Sequence, residues 1–353
     1  DVVIGDAAGR FTIGKALTTP ERIFVGLRAA LIAAAEPLGL SLERLLARTD
    51  IFIYGTTRAT NAIVTGNIAK TAFLTTAGFP DVLLLREGGK FNPHDFSVPY
   101  PRPYLPRRHT FEINERINCR GEIIRPFDED AAVAALETVK ARGFESCAVS
   151  LLWSIANPVH ERRLGALMDA ILPGVPYTLS HALNPIMREY RRASSTAIDA
   201  SIKPLMQTHL RDLQTDLRDA GYEGELLVST TMGGCLDIDS MIERPIHTVR
   251  SGPAMAPVAG RRYAEYEGKR ESVLVVDTGG TTFDVSLIRD GRIAITQETW
   301  LGERFTGECW AYRQSMHAAL VLAVAPSRGW IRQACCGSDH KAPDRVRARP
   351  AMD

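Results

Sequence analysis

The sequence predicts a mixed α/β protein, and three features carry that reading. Short apolar strands alternate with helical segments between residues 51 and 180, a long helical stretch covers residues 190–220, and two apolar strands flank a glycine turn near residue 280. Strand–helix alternation of this kind implies a mostly parallel or mixed sheet with helices packed on it. The 353 residues are a prior for two to three domains. With 42 Lys+Arg against 41 Asp+Glu, the chain has no basic footprint for nucleic acid. The longest apolar runs, residues 29–35 and 318–326, fall short of the roughly 18–20 needed to span a bilayer. Residues 1–6 lack the basic start and apolar run of a secretory leader. Six cysteines are too few for a disulfide scaffold. Together these point to a cytoplasmic protein with reduced thiols, and no membrane partner is expected.

The elements follow in order. Residues 1–4 and 11–13 read as two strands joined by a turn. A helix follows, with Thr18 or Thr19 expected to cap it and Pro20 in its first turn. Residues 51–54 form a strand running into Gly55-Thr56-Thr57-Arg58-Ala59-Thr60-Asn61-Ala62, and residues 70–75 form another. Five prolines between residues 92 and 108 mark a surface loop. Residues 111–117 and 122–126 read as a hairpin, and residues 128–142 as a helix whose three leading acids suit its dipole. A buried strand (146–153), a helix (158–170) and a strand (177–180) come next. In the 190–220 helix, Pro204 is expected to kink or divide the element. A strand at 225–230 ends at Met232-Gly233-Gly234, and strands at 272–276 and 285–289 close the series. A domain boundary is expected at residues 183–190, giving units 1–185 and 186–307.

The segment Asp277-Thr278-Gly279-Gly280-Thr281-Thr282-Phe283-Asp284 carries the chemistry. Adjacent glycines let the backbone approach an anion closely, and successive N–H groups at such a turn form an anion-binding concavity. Thr281 and Thr282 add hydroxyl donors. Asp277 and Asp284 bracket the turn, and carboxylates beside a phosphate call for a cation between them, most often Mg²⁺. A plain hairpin with a Gly-Gly turn is the alternative. An internal echo favours the phosphate reading. Asp1-Val2-Val3-Ile4-Gly5-Asp6 with Gly9-Arg10 repeats the pattern of Asp284-Val285-Ser286-Leu287-Ile288-Arg289-Asp290-Gly291-Arg292. Such a duplication suggests two lobes, each with a phosphate hairpin, closing over one nucleotide. Asp1 is then the closing aspartate of a first hairpin.

These segments, with Ser251-Gly252-Pro253-Ala254 and Arg188-Glu189-Tyr190-Arg191-Arg192-Ala193-Ser194, resemble the hydantoinase A / 5-oxoprolinase / acetone carboxylase family over roughly residues 1–307. The resemblance implies an actin/hexokinase-like (ribonuclease H-like) ATPase fold, here incomplete. It also implies use of ATP and Mg²⁺ to phosphorylate an amide or carbonyl oxygen, or bicarbonate, before hydrolysis or carboxylation of a small-molecule substrate. A hydantoinase B-like partner subunit and a hetero-oligomer follow from the same resemblance. Carried over residue by residue, Gly279, Gly280, Thr281 and Thr282 hold the β/γ-phosphates. Asp277 and Asp284 are the metal-binding pair, and Asp284 and Asp1 the catalytic residues. Thr56, Thr57 and Asn61 bind a phosphoryl group or simply cap a helix; Ser251 and Gly252 pack on the nucleotide or form a structural turn. The loop around residues 86–95 is a weaker substrate-facing candidate. His160 reads as structural, and Arg188–Arg192 as an ion-paired face.

From residue 308 the resemblance stops and the composition turns rich in Arg, Ala and Cys. If the third base of each codon is joined to the first two of the next, residues 308–330 can encode a stretch ending Ser-Ile-Gly-Ala-Gly-Gly-Gly-Ser-Ile-Ala-Trp. That contains the glycine-rich nucleotide loop the family carries at this point. Residues 308–353 are therefore expected to be an out-of-frame tail, and the 353-residue chain an inactive fragment of an ATP-dependent amidohydrolase or ketone carboxylase subunit. A non-catalytic nucleotide-binding or assembly subunit is the rival reading.

Overall fold

A computed structural model of the chain describes residues 1–320 apart from 20, 88–96, 98–101, 269–271, 279–282, 294, 297–298, 306–307, 313–315 and 318. The chain opens with an antiparallel hairpin, β1 (Val2–Gly5) and β2 (Phe11–Gly14), that pairs Val2 with Gly14 and Gly5 with Phe11. Helix α1 (Ile23–Ala35) lies against β2. Gly14 is required there, because a Cβ on it would sit 1.9 Å from the Ala30 carbonyl oxygen. α2 (Leu42–Ala47), capped by Ser41, leads to β3 (Ile51–Tyr54) and α3 (Arg58–Thr65).

Next come β4 (Thr71–Thr76), the short α4 (Val82–Leu85), β5 (Thr110–Ile113), the small hairpin β6 (Arg116–Ile117) and β7 (Ile123–Arg125), and α5 (Glu129–Ala141). β8 (Ser146–Ser150), α6 (Val159–Ile171), β9 (Tyr177–Leu179) and α7 (Ser180–Leu183) complete this part. Strands β5, β4, β8 and β9 form a sheet in that order with every pairing parallel. All of β4 and β8 is buried, as expected of parallel strands covered on both faces. Successive residues point to opposite faces. Ala72, Leu74, Cys147 and Val149 meet α5 and α6 through Leu136, Val139, Leu164 and Met168, whereas Phe73 and Ala148 belong to the core built on α8 (Glu189–Asp219).

α8 has 31 residues, about 46 Å at 1.5 Å per residue. Its first half contributes Ala193, Ala197 and Ala200 to the core at the four-stranded sheet; its second half adds Met206, Leu210, Leu213 and Leu217 beside Leu226 and Val228. Those last two residues lie on β10 (Glu225–Ser229). β10 pairs parallel to β3 and antiparallel to β11 (Cys235–Asp237), giving a second sheet in the order β11-β10-β3. α9 (Ile238–Glu243) and α10 (Ser251–Tyr266) follow. β12 (Ser272–Thr278), β13 (Phe283–Arg289) and β14 (Arg292–Ile293) form an antiparallel unit, and short strand segments continue to Leu320. α10 packs on this unit so closely that a Cβ on Gly260 would lie 2.2 Å from Val275 Cγ2.

Four local expectations change. α1 starts at Ile23, and neither threonine caps it. Thr19 instead accepts from Gly26 N at 3.0 Å and donates to the Arg22 carbonyl at 2.7 Å, which ties the preceding loop to the helix flank. Residues 111–117 are not one strand: β5 joins the main sheet beside β4, and only β6 pairs with β7. The strand expected over 146–153 ends at Ser150, where the chain turns and Trp153 takes a positive φ of 55°. Pro204 neither divides nor terminates α8. Proline lacks the N–H that would reach the carbonyl four residues back. Ser146 Oγ donates to that Ala200 carbonyl at 2.6 Å instead, and Ala69 N donates to the Ser201 carbonyl at 2.9 Å. The acceptor orphaned by Pro204 is satisfied from outside the helix.

Buried polar groups lock the four-stranded sheet to its helices. Glu161, fully buried, accepts from Leu151 N (2.9 Å), Ser180 Oγ (2.6 Å) and His181 N (3.0 Å), and its other contact is His181 Nδ1 at 2.6 Å. Arg192 donates to the Leu151 and Ile186 carbonyls, both at 3.0 Å. His160 is structural as expected, with Nδ1 2.7 Å from buried Glu115. Arg188 and Arg191 form the expected ion-paired face through Glu87, at 3.6 and 2.7 Å, while Arg192 departs from it by turning inward. Among the described residues no helix is long and apolar enough to cross a membrane, and no cluster of potential metal ligands is found.

Candidate phosphate site

β3 and β10 run parallel and side by side, so their C-terminal ends open in the same direction. In open parallel sheets that edge is where ligands bind. β3 ends in Gly55-Thr56-Thr57 and leads into α3, while β10 ends in Ser229-Thr230-Thr231. Gly55 lies close against β10, where a Cβ would approach Ser229 Oγ to 3.2 Å. The first turn of α10 comes to the same place. Ser229 Oγ donates to Ser251 Oγ at 3.3 Å, Ser251 Oγ reaches the Thr56 carbonyl at 3.5 Å, and Arg250 N donates to Thr60 Oγ1 at 2.9 Å. Gly252 lies over Thr57, with its missing Cβ 3.9 Å from Thr57 Cγ2. Asn61 Nδ2 donates to Thr57 Oγ1 at 3.3 Å, and Arg58 N donates to Thr56 Oγ1 at 3.1 Å.

Five candidates scattered along the sequence, Thr56, Thr57, Asn61, Ser251 and Gly252, therefore meet where two helix N-termini converge. The set contains hydroxyls, an amide and backbone N–H groups and no carboxylate, which suits an anion. Ser229, Thr60 and Arg250 complete the cluster and are absent from the sequence-based set. Arg250 holds a left-handed φ of 62° at the start of α10. The sequence signal for Ser229 was present in the strand ending at Met232-Gly233-Gly234, but its neighbour β3 lies some 170 residues earlier.

The strand before this site is anchored by a buried pair. Tyr54 Oη and His209 Nε2 share a hydrogen bond of 2.9 Å. Burial, reinforced by the Arg58 charge and opposed by Asp212, pushes the His209 pKa down to about 4. The imidazole is thus neutral at physiological pH.

On the β12–β13 hairpin the backbone register sets Asp277 directly opposite Asp284, with Thr278 opposite Phe283. Gly279, Gly280, Thr281 and Thr282 lie outside the described residues. α10 links the two places, its first turn on Thr57 and its later turns on β12. Asp1 precedes β1, is largely exposed, and lies 3.9 Å from Lys15 Nζ. It shares a cavity of about 1070 Å³ with Gly55, Thr56 and Thr57. The sequence echo has a structural counterpart, since β1–β2 and β13–β14 are both antiparallel hairpins. Most of the 86–95 loop and the tail from residue 321 lie outside the described residues.

Fold and site together define a mixed α/β protein with a parallel sheet, at whose strand ends hydroxyl and backbone N–H donors gather. The chain belongs to the hydantoinase/oxoprolinase family: residues 1–172 match its N-terminal region and residues 192–323 its hydantoinase/oxoprolinase domain. It is 32% identical over 301 residues to caprolactamase subunit alpha of Pseudomonas jessenii, covering 85% of this chain and 43% of that protein. The crystal structure of the ATP-dependent caprolactamase from Pseudomonas jessenii superposes with a TM-score of 0.78 at 29% identity, over 94% of this chain and 48% of that one. A nucleotide-free structure of acetone carboxylase shares the fold, with a TM-score of 0.79 at 23% identity over 92% and 46% of the two chains. The chain thus spans less than half the length of the relatives it matches.

Proposed function

We propose that this chain is the nucleotide-handling part of an ATP-dependent amidohydrolase or carboxylase subunit, on an actin/hexokinase-like fold. The observation that carries the reading is the convergence of Thr56, Thr57 and Asn61 with Ser251 and Gly252 at the ends of β3 and β10. Bound ATP supplies a transferable phosphoryl group that activates an amide or carbonyl oxygen, or bicarbonate. The residues fit that group, since donors without carboxylates gather at one place and two aspartates occupy opposite register positions at another.

The threonine cluster binds phosphoryl oxygens through its hydroxyls and the N–H groups of α3 and α10. Gly279, Gly280, Thr281 and Thr282 cradle the β/γ-phosphates, and Asp277 and Asp284 hold Mg²⁺ through retained waters. Asp284 also orients the attacking group, with Asp1 as its first-lobe counterpart. In this reading the substrate is a cyclic amide or a ketone (a hydantoin, 5-oxoproline, a lactam such as caprolactam, or an acetone-like ketone), a range supported by relatives named as caprolactamase, acetone and acetophenone carboxylase subunits and 5-oxoprolinase. A hetero-oligomer with a hydantoinase B-like partner, acting in the cytoplasm, completes the reading; that relatives are named as subunits supports the assembly.

The test is nucleotide hydrolysis by a form of the protein extended to its relatives' length, with its partner, screened against those substrates with and without bicarbonate. Stimulation by one substrate class supports the reading. Binding of ATP with Mg²⁺ but no stimulation by any of them would instead mark a non-catalytic nucleotide-binding subunit.

A further inference from the structure

The N-terminal edge of the four-stranded sheet carries cations on an aromatic floor. β5, β4 and β8 are parallel neighbours, with Phe73 opposite Thr110 and Thr71 opposite Ser146, so all three start at one end of the sheet. The residues just before them are Arg108 and His109, Lys70, and Glu145. Arg142, at the C-terminal end of α5, reaches the same place and donates to the Arg108 carbonyl at 3.0 Å. Lys70 Nζ lies 4.9 Å and Arg142 Cζ 5.1 Å from the ring centre of buried Phe144, and Arg142 also covers Phe111 at 5.4 Å. His109 meets Phe144 edge-on, with ring centres 5.0 Å apart. Attraction to the ring faces holds Lys70 and Arg142 in position.

The charges are not neutralised. Among the described residues, no carboxylate lies within ion-pair distance of Lys70, Arg108 or Arg142, whereas the adjacent Arg107 is paired with Asp81 at 2.5 Å. Glu145 turns to the backbone instead, accepting from Lys70 N at 2.7 Å. Part of the arrangement is local. Lys70 Nζ donates to the Arg142 carbonyl, where one cation suits the end of a helix. That accounts for Lys70 and leaves Arg108 and Arg142. The accumulated charge reaches His109: burial first, then Arg108, Arg142 and Lys70, pushes its pKa down.

The missing anion has to come from another chain. Outside the described residues, 88–96 hold one lysine and one aspartate, and 321–353 are net basic. Phe144 and Phe111 fill the space beneath the cations, so the charges lie on an open surface and surround no pocket. A small anion there keeps most of its water, whereas a chain with several carboxylates engages the cations together, each contact after the first being intramolecular. We propose that this edge docks an extended Asp/Glu-rich segment of another polypeptide, with Lys70, Arg108 and Arg142 taking its carboxylates. The threonine cluster is built on the other sheet, so this inference and the ATP reading can fail separately.

The experiment is fluorescence anisotropy of a labelled peptide of alternating Glu and Gly on the 353-residue chain at about 50 mM salt, with a Gln-Gly peptide as control. The Glu peptide should bind. Combining Lys70→Gln, Arg108→Gln and Arg142→Gln should weaken binding about tenfold or more, while Arg28→Gln, Arg44→Gln and Arg211→Gln together, an equal loss of charge elsewhere, should change it by less than about twofold. On the native chain, where no variant has to fold, the Glu peptide should slow amide exchange over residues 69–71, 108–110 and 142–145. No binding, equal binding of the Gln peptide, equal weakening by both triple variants, or protection elsewhere overturns the proposal. So does displacement of the peptide by inorganic phosphate at matched ionic strength, which would mark a small-anion site. Protection of the same segments without peptide, in a chain that sedimentation shows to be a dimer, also overturns it by making a second copy the occupant.

Discussion

His209 offers a quantitative test of how the site strand is held. Its imidazole meets Tyr54 Oη at 2.9 Å immediately before Gly55-Thr56-Thr57, and burial lowers its pKa from 6.5 to about 4. An unfolded chain protonates this histidine near pH 6.5 while the folded chain resists until near pH 4. The folded state therefore has its full contribution above pH 6.5 and loses it as pH falls towards 4. A shift of this size corresponds to about 3 kcal/mol, and screening by nearby solvent reduces the expected effect to about 2 kcal/mol. The perturbation is His209→Phe, which keeps a ring and removes the proton site. The assay is urea unfolding of both proteins between pH 7 and pH 4, compared as a difference so that the carboxylates cancel. The advantage of the native protein over the variant should shrink by about 2 kcal/mol across that interval. A difference independent of pH would refute the assignment of a neutral, buried histidine.

Other outcomes follow from the same packing. Ser146→Ala leaves the Ala200 carbonyl beside Pro204 without its donor and should cost about 1–3 kcal/mol; Pro204→Ala in the same chain restores an N–H and should recover most of that loss, read as coupling in a double-mutant unfolding cycle. Glu161→Ala removes the acceptor for Leu151 N just past β8 and for the groups on α7 and should cost about 3–5 kcal/mol, visible as a lower urea midpoint at unchanged slope. Gly14→Ala drives a methyl into the Ala30 carbonyl and should lower thermal stability by at least the 1–3 kcal/mol typical of overpacking.

Much of this architecture is legible from local signals. The acidic start of α5 and its Asp128 cap, the small apolar centre of β8 at Cys147-Ala148-Val149, and the antiparallel pairing of β12 with β13 each follow from residues close in sequence. What local reading misses is supplied from far away. Pro204 is a helix breaker by composition, and only Ser146, fifty-eight residues earlier, explains why α8 continues. Residues 111–117 look like one strand until β4 is there to pair with the first part. Thr56 and Ser251 were each individually recognisable, but their contact depends on β3 and β10 becoming parallel neighbours, which no spacing in the chain reveals. Asp1 was found only through the echo of residues 284–292, since nothing in its own surroundings distinguishes it.

The central claim is that the Asp277–Asp284 hairpin and the threonine cluster serve phosphoryl transfer. Its most direct test is substrate-stimulated ATP hydrolysis by the protein extended to its relatives' length and assembled with its partner, comparing native protein with Asp284→Ala. The account predicts stimulation by a cyclic amide or by a ketone with bicarbonate, and loss of that turnover in Asp284→Ala while the folded structure is retained. Undiminished turnover in the folded variant would contradict it.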